Sequence, residues 1–268
     1  MEIVRSEQEL VRRGKLESIS EYCNPYPDKY SVTNSIKETR CIPDGTTDIS
    51  IAGRIVFLRK MGKLSFLRIR DIEASIQVSF KLDLLGEEAY KFFKSNIDVG
   101  DFIGVSGEIV TTQTGEKTLR ANSFEFLGKA LKPLPEKFHG LSDQEMKYRH
   151  RYVDLIMNED ARSRFLFRSK LIWEIRSFLN KNNYIEIETP ILNNKASGAM
   201  ARPFVTHHNA LDIDLYLRIA PETYLKRAIV GGFTKVYEFA RCFRNEGMDA
   251  THLQDFTMLE GYGAYLNY

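Results

Sequence analysis

The feature that most constrains the fold is a run of short strand-like segments between Asp48 and Leu127. These segments are "ISIAGRIVFL", "KLSFLRIRD", "ASIQVSF", "DFIGVSGEIVT" and "KTLRANSFEFL". They are rich in β-branched and aromatic residues, and glycine-bearing turns separate them, as is typical of strands joined by tight connections. The pattern therefore predicts a region built mainly of β-strands.

One helix is predicted inside this β-rich region, and its position selects the architecture. The segment "LLGEEAYKFFKSN" lies between the third and the fourth strand candidates. Five strands with a helix after the third is the order of an OB barrel, a fold that presents one face to oligonucleotides. We therefore predict an α+β chain in which residues 48–130 form a five-stranded OB-fold β-barrel.

Helical and linking segments flank the predicted barrel. Residues 1–47 read as an amphipathic helix over 1–22 followed by a tether with three prolines. The apolar positions of this helix are Val4, Leu10, Val11, Leu16 and Ile19. Residues 131–162 read as a linker that turns into a helix.

The last predicted domain, 163–268, alternates helices and strands. "SRFLFRSKLIWEIRSFLNKNN" is an amphipathic helix, "YIEIETPIL" is a strand ended by Pro190, and "YLRIA" is another short strand. "PETYLKRAIVGG" is a helix that begins near Pro221 and stops at Gly231–Gly232. "KVYEFARCFR" and "QDFTMLEGYGAYL" are then predicted to form an antiparallel hairpin.

This hairpin carries functional groups at every second position. Arg244 shares a strand face with Cys242, whereas Phe256, Glu260 and Tyr262 share a face of the other strand. If these faces lie on the same side of the sheet, they offer a guanidinium to a phosphate, a ring to a base and a carboxylate to a cation. The alternative is a cross-strand salt bridge between Arg244 and Glu260.

The same hairpin carries a family resemblance. "FRNEG" followed by "HxxxFTMLEGY" resembles motif 2 of the class II aminoacyl-tRNA synthetases, specifically the lysyl-tRNA synthetases, and "YIEIETPIL" resembles the proline-terminated motif 1. The resemblance extends over all 268 residues in order. It implies an OB-fold anticodon-binding domain, a class II catalytic domain, and an enzyme of protein biosynthesis that uses ATP to join lysine to tRNA(Lys).

The resemblance implies four contacts with ATP. Arg244 would be the catalytic residue, because it would clamp the α-phosphate and the substrate carboxylate. Glu246 would lie near the adenine amino group, His252 would face the outer phosphates, and Phe256 would stack on adenine. The alternative for His252 is that it simply closes the loop.

The resemblance also implies contacts with lysine. Glu260 and Tyr262 would bind the side chain of lysine, where a negative group is needed to desolvate an ammonium. Glu222 would hold the α-amino group, and Gly198 would let the backbone approach the amino acid. The alternative for Glu222 is a favourable interaction with the dipole of its own helix.

A second set of implied contacts lies in the barrel. Phe66 and Gln77 match family positions that stack on and hydrogen-bond to anticodon bases, and Arg59 lies nearby. The alternative for Phe66 is a place in the barrel core, since phenylalanines in strands usually face a core.

The sequence departs from the family pattern in the segment "HLQDF". The family's usual motif is "HNPEF", so Leu253 replaces an asparagine and Asp255 replaces a glutamate. "HLxEF" is closer to aspartyl- and asparaginyl-tRNA synthetases, which therefore remain an alternative. A non-catalytic tRNA-binding module or a truncated paralogue is the alternative from a different functional class.

The family pattern also continues beyond this sequence. Metal-binding carboxylates for Mg²⁺ and a glycine-rich motif 3 follow motif 2 in the family, whereas this sequence ends at Tyr268. We therefore expect no metal ligands in this chain and do not expect it to complete catalysis alone. The family also dimerises through its motif 1 region, so a homodimer is expected.

Charge, cysteine content and hydropathy bound the location. The net charge is only +2, so any nucleic-acid contact must come from local placement of basic residues. The three cysteines are widely spaced and form no metal or disulfide pattern. No apolar run approaches the ~20 residues that span a bilayer. These features predict a cytoplasmic protein without a membrane partner.

Overall fold

The computed structural model describes residues 5–135, 143–249 and 251–267. The chain divides into two compact units, Met1–Arg162 and Ser163–Tyr268. The elements of the first unit, in chain order, are α1 (Glu7–Tyr22), α2 (Ile36–Thr39), β1 (Ile49–Lys60), β2 (Leu64–Arg70), β3 (Ser75–Lys81), α3 (Leu82–Leu85), α4 (Glu87–Asn96), β4 (Phe102–Thr111), β5 (Lys117–Gly128), α5 (Gln144–Arg149) and α6 (Arg151–Met157). Helix α7 (Glu159–Lys181) begins in the first unit and continues into the second.

The strands of the first unit close into a barrel. Their order is β1-β2-β3-β5-β4, with β3 and β5 parallel and the other neighbours antiparallel. Helix α4 lies between β3 and β4 in the chain, as predicted. The predicted five-stranded OB fold is therefore confirmed.

Alternating burial along the strands explains how this barrel forms its core. On β2, Leu67 and Ile69 are fully buried, whereas Leu64 and Phe66 are only partly buried. Helix α4 joins the core through Phe93, whose ring packs edge to face on Phe80 at 4.7 Å between ring centroids. Because successive side chains alternate, every outward position of β2 is available for contacts outside the core.

The N-terminal helix differs from the sequence prediction. Residues 1–4, including Val4, lie outside the described residues. Ile19 is fully buried, but Leu10 and Val11 are 54% and 55% exposed. The apolar face indicated by the sequence is therefore wrong at these two positions. The helix is held partly by a polar contact instead, because Arg12 donates to two main-chain carbonyls of the barrel unit.

The second unit contains two small sheets. Besides the rest of α7, its elements are β6 (Ile185–Glu186), β7 (Leu192–Asn193), β8 (Val205–His208), β9 (Ile213–Leu217), α8 (Glu222–Val230), β10 (Lys235–Phe243) and β11 (Asp255–Gly263). One sheet has the order β11-β10-β6 and the other has the order β7-β9-β8. The predicted hairpin is formed by β10 and β11, which pair antiparallel over their whole length.

Two strand predictions in the second unit differ in part from the structure. The strand predicted to end at Pro190 is present but short (β6) and pairs with β10, and a separate strand that was not predicted (β7) follows the proline and pairs with β9. Pro190 lies between them and has no N–H to continue a ladder. The strand predicted at "YLRIA" lies earlier, at Ile213–Leu217, where it also pairs with β8, a strand that was not predicted.

Candidate functional site

The hairpin places its functional groups on one side of the sheet. Directly opposed residues of an antiparallel pair share a face. The opposed pairs on this face are Cys242 with Phe256, Ala240 with Met258, Glu238 with Glu260, and Val236 with Tyr262. The strand face that carries Cys242 and Arg244 and the strand face that carries Phe256, Glu260 and Tyr262 therefore lie on the same side of the sheet.

Arg244 lies at the loop end of this face, and one nitrogen of its guanidinium group has no hydrogen-bond partner among the described residues. Its main-chain N–H donates to the carbonyl oxygen of Gln254 at 2.8 Å, which joins the two ends of the loop. Its guanidinium carbon lies 5.1 Å from the centroid of the Phe256 ring, within range of a cation–π contact. Its Nε atom is buried and has no hydrogen-bond partner.

Glu260 also has an unsatisfied buried atom. Its Oε2 has no hydrogen-bond partner, and no ion pair joins Glu260 to Arg244 within the described ranges. The salt-bridge alternative is therefore wrong. Burial raises the pKa of Glu260, and the nearby carboxylate of Glu222 raises it further. Burial and the charge of Glu260 likewise raise the pKa of Tyr262.

A buried ion pair lies on the same face. Arg218 Nη1 donates to Glu238 Oε1 at 2.6 Å, and each side chain is only 5% exposed. Thr189 contributes a second contact, because its hydroxyl donates to Glu238 Oε2 at 2.7 Å. The sequence reasoning missed Arg218, although a charged residue within the apolar segment "YLRIA" was the available signal.

Glu222 reaches this region from the first turn of α8. Its carboxylate accepts a hydrogen bond from Lys226, whose Nζ lies 5.6 Å from the centroid of the Tyr262 ring. Gly198 lies against it with φ +93°, and a Cβ atom at Gly198 would lie 3.2 Å from the Cβ of Glu222. Glycine is required there both by the left-handed backbone and by the close approach.

The loop between the two strands has its own local contacts. Glu246 accepts a hydrogen bond from the main-chain N–H of Arg202 at 3.1 Å. His252 Nδ1 lies 2.9 Å from Asp249 Oδ2, and the His252 side chain is 74% exposed. Hydrogen bonds to this turn hold the pKa of Asp249 well below its usual range. His252 thus closes a turn in the structure, in keeping with the loop-closing alternative.

The unusual segment "HLQDF" divides between the two faces of the sheet. Asp255 pairs with Arg241 through a hydrogen bond on the face opposite to Phe256. Leu253 is 59% exposed. The aspartate that replaces the family's glutamate therefore does not contact the face that carries Arg244.

The barrel presents its implied contact residues on its outer surface. Arg59 lies directly opposite Phe66, so both side chains share a face. Phe66 is only partly buried, and its placement in the core is therefore wrong. Gln77 lies opposite Arg68 and donates from Nε2 to the hydroxyl of Thr118 at 2.9 Å.

Two further charged residues share this barrel face and were missed in the sequence. Arg68 is opposite Gln77, and its guanidinium donates to Glu116 at 2.7 Å. Their sequence separation hides the contact, since β2 and the turn before β5 meet only when the barrel closes. The face thus combines an aromatic ring, an amide and an ion pair.

The described residues contain neither a metal-ligand cluster nor a membrane-spanning helix. Across 5–135, 143–249 and 251–267, no three histidine, cysteine or acidic side chains cluster closely enough to hold a metal ion. The described helices include none with the length and apolar character needed to cross a bilayer.

Comparisons with known proteins match both units. The family model "tRNA synthetases class II (D, K and N)" matches residues 143–268, and the model "OB-fold nucleic acid binding domain" for the tRNA anticodon matches residues 49–127. Among curated relatives, the lysine–tRNA ligase of Enterococcus faecalis is 49% identical over 98% of this chain and 55% of its own length. That of Aquifex aeolicus is 55% identical over 82% of this chain and 37% of its own length. The chain thus spans about half the length of the curated relatives it matches.

Proposed function

We propose that this chain belongs to the class II tRNA synthetases of the D, K and N group and that it carries the anticodon-binding and adenylate-forming parts of a lysine–tRNA ligase. ATP and lysine would be the substrates of the activation step, and tRNA(Lys) would accept the activated amino acid. The observation that carries this proposal is the pair of unsatisfied buried atoms, Arg244 Nε and Glu260 Oε2, on one face of the hairpin.

Arg244 and Phe256 support the binding of ATP. The guanidinium would donate to the α-phosphate, while the Phe256 ring would stack on adenine. The carboxylate of lysine would attack the α-phosphorus, and pyrophosphate would leave with the electrons of the broken P–O bond. Arg244 would stabilise the charge that builds up on the phosphoryl oxygens. Glu246 and His252 would extend the site to the adenine amino group and the outer phosphates.

The acidic end of the same face supports lysine as the amino acid. Among the described residues no cation forms an ion pair with Glu260, and its buried oxygen would accept a hydrogen bond from the lysine ammonium. Tyr262 would add a polar contact. Glu222 would hold the α-amino group, with Gly198 leaving space for the backbone of the ligand.

Aspartate and asparagine remain the alternative amino acids. An aspartate side chain would need a cationic partner, whereas Glu260 and Glu222 place negative charge at that end of the face. Asp255 pairs with Arg241 on the other face, so this part of "HLQDF" adds nothing to an aspartate site. The geometry therefore favours lysine.

The outer face of the barrel supports anticodon binding. Phe66 would stack on a base, and Gln77 and Arg59 would hydrogen-bond to its neighbours. Stacking on an OB face contributes roughly 1–3 kcal/mol per base.

Exposed aromatic rings on helix α7 support a homodimer. Helix α7 exposes Phe167, Trp173 and Phe178 at 68%, 63% and 66%, and these rings would be covered in a homodimer. Mg²⁺ would accompany ATP and neutralise phosphate charge. We place the protein in the cytoplasm.

One experiment compares Arg244, which follows the last residue of β10, with Arg241, which lies within β10. Arg244→Gln should weaken ATP binding to this chain about tenfold or more, because a charge-assisted hydrogen bond contributes roughly 1.5–3 kcal/mol. Arg241→Gln, on the opposite face, should leave it within about twofold. Equal effects of the two substitutions would contradict the proposed ATP site.

A second experiment decides among the alternatives. ATP–pyrophosphate exchange on this chain is measured with lysine, asparagine and aspartate in turn. Exchange that depends on asparagine or aspartate would overturn lysine specificity. No exchange with any of the three, combined with salt-sensitive binding of tRNA, would favour the non-catalytic tRNA-binding module.

A further inference from the structure

A cleft beside the barrel concentrates positive charge within the first unit. Its volume is about 820 Å³, and its walls come from α1, α2, β2, the segment 133–135 and the junction of α6 with α7. The arginines that line it are Arg12, Arg40, Arg68, Arg70 and Arg162. The two acidic residues of its lining, Glu73 and Glu159, do not balance these five charges.

Most of the hydrogen bonds that these arginines donate go to uncharged main-chain carbonyls, which leave the positive charge uncompensated. Arg12 donates to the carbonyls of Val99 and Ala130 at 3.1 and 2.6 Å, and Arg162 donates to that of Leu155 at 2.8 Å. Arg70 likewise donates to a main-chain carbonyl. A carbonyl fixes a guanidinium without neutralising it. In the described part of the chain, only Arg68 of the five has a carboxylate within ion-pair distance.

The cleft also brings like charges together. Burial lowers the pKa of Arg70, and the positive charge of Arg162 lowers it further, ahead of the opposite effect of Glu159. Guanidinium groups that repel one another in a partly buried site cost free energy, and an anion between them removes that cost. Main-chain carbonyls hold three of the five side chains, those of Arg12, Arg70 and Arg162, in place without an anion.

The cleft is continuous with the proposed anticodon face. Phe66, Arg68 and Arg70 occupy alternate positions of β2, so they point to the same side of the strand. Same-face positions are about 6.6 Å apart, so the strand leads from a ring that would stack on a base into the arginine cleft. We infer that this cleft binds phosphate groups, and that its occupant is the phosphodiester backbone of the RNA held by the barrel, an inference that rests on the proposed RNA-binding function.

Two independent variants and a matched control test this inference. The double variant Arg40→Gln/Arg162→Gln removes two charges from the cleft. Gln8→Glu adds a negative charge to its wall at an exposed position, with almost no change of shape. Arg13→Gln is the control, because Arg13 neighbours Arg12 on α1 but is paired with Glu9. Unfolding curves establish that each variant is folded.

The first probe is a stem-loop RNA with a lysine anticodon, followed by fluorescence anisotropy over a range of salt concentrations. The double variant should bind it about tenfold more weakly or worse. The slope of log K against log salt should fall by about one per lost phosphate contact, while the preference among anticodons stays the same. Gln8→Glu should weaken binding in the same direction, and Arg13→Gln should not. Unchanged binding in both cleft variants, or an equal loss in Arg13→Gln, overturns the inference.

The second probe is inorganic pyrophosphate at constant ionic strength, which separates the source of the phosphate from the function of the barrel. If the cleft variants weaken pyrophosphate binding but not RNA binding, the site binds free phosphates and the RNA assignment is wrong. If no RNA binds but pyrophosphate binding depends on the cleft, the barrel proposal fails while the phosphate site stands. If Phe66→Ala weakens RNA binding and the cleft variants change neither probe, the barrel proposal stands and the cleft inference fails.

Discussion

Glu238 and Glu260 lie directly opposite each other across the β10–β11 pair, yet only Glu238 has a cation bound to it. Like charges at opposed positions destabilise a sheet. Arg218 neutralises Glu238, whereas the buried Oε2 of Glu260 has no hydrogen-bond partner among the described residues. One carboxylate of the opposed pair is thus neutralised within the fold, whereas the other has a buried oxygen without a partner, as the proposed lysine site requires.

The first prediction concerns lysine binding at Glu260. Glu260→Gln should weaken lysine binding about 10- to 100-fold, because it removes a charge-assisted hydrogen bond of roughly 1.5–3 kcal/mol. Isothermal titration with lysine measures the change. Glu188→Gln, an exposed carboxylate of the same unit, should have no effect. A loss of equal size in both variants would show that Glu260 is not a specific contact.

The second prediction concerns stability against pH. Burial raises the pKa of Glu260 above its ordinary 4.5, so the folded chain binds this proton more tightly than the unfolded chain does. Ionisation of Glu260 therefore costs folding free energy as pH rises above this value, and the cost is absent below it. Glu260→Gln should raise the unfolding free energy at neutral pH by less than about 1 kcal/mol, because the side chain is partly exposed and solvent screens its charge.

That gain should shrink as the pH falls towards the ordinary pKa of glutamate, since the wild-type carboxyl group then carries its proton. Thermal unfolding of wild type and variant over this pH range measures the difference. A difference that does not depend on pH would mean that the charge of Glu260 is not its cause.

The third prediction concerns the buried ion pair. Arg218→Met should destabilise the chain by about 3–5 kcal/mol, because it leaves the Glu238 carboxylate buried without its cation. The double variant Arg218→Met/Glu238→Leu should recover most of this loss. Urea unfolding measures both variants. The exposed pair of the same hairpin is the comparison, and Arg241→Met should cost about 1 kcal/mol or less.

The fourth prediction concerns Gly198. Gly198→Ala should cost about 1–2 kcal/mol of stability for the left-handed backbone, and it should also weaken lysine binding by pushing on Glu222. Gly232 has a similar φ of +105° with nothing within 4 Å of an added Cβ. Gly232→Ala should therefore cost stability and leave lysine binding intact. Loss of lysine binding in both variants would place the effect in the backbone rather than at Glu222.

The fifth prediction concerns the barrel. Phe66→Ala should weaken binding of a lysine-anticodon stem-loop about 5- to 150-fold, the equivalent of 1–3 kcal/mol for one stacked base. Phe102→Ala is the matched control, because Phe102 is a partly exposed aromatic residue of β4 in the same barrel. Electrophoretic titration at fixed salt compares the two variants. Similar losses in both would argue against a specific stacking site at Phe66.

Local pattern was sufficient for the elements whose residues interact with near neighbours. The strand-like segments separated by glycine-bearing turns predicted the barrel strands, and Pro221 and Gly231 at its ends predicted helix α8. The short strand β7 after Pro190 was missed, because it pairs with the distant strand β9 and no local signal indicates that partner. The predicted burial of Leu10 and Val11 was wrong, because the burial of a helix residue depends on what the helix packs against.

The sequence by itself determined the order of the elements, the family resemblance and the residue types that could contact a nucleotide and an amino acid. Only the tertiary structure decided which of those residues share a face and which already have partners. Arg218 lies 20 residues before Glu238 in the chain, and it neutralises that carboxylate rather than Glu260. Asp255 turns away from the site although Phe256 next to it faces inward. Both outcomes depend on strand register and long-range packing, which fix the direction of each side chain only when the sheet forms.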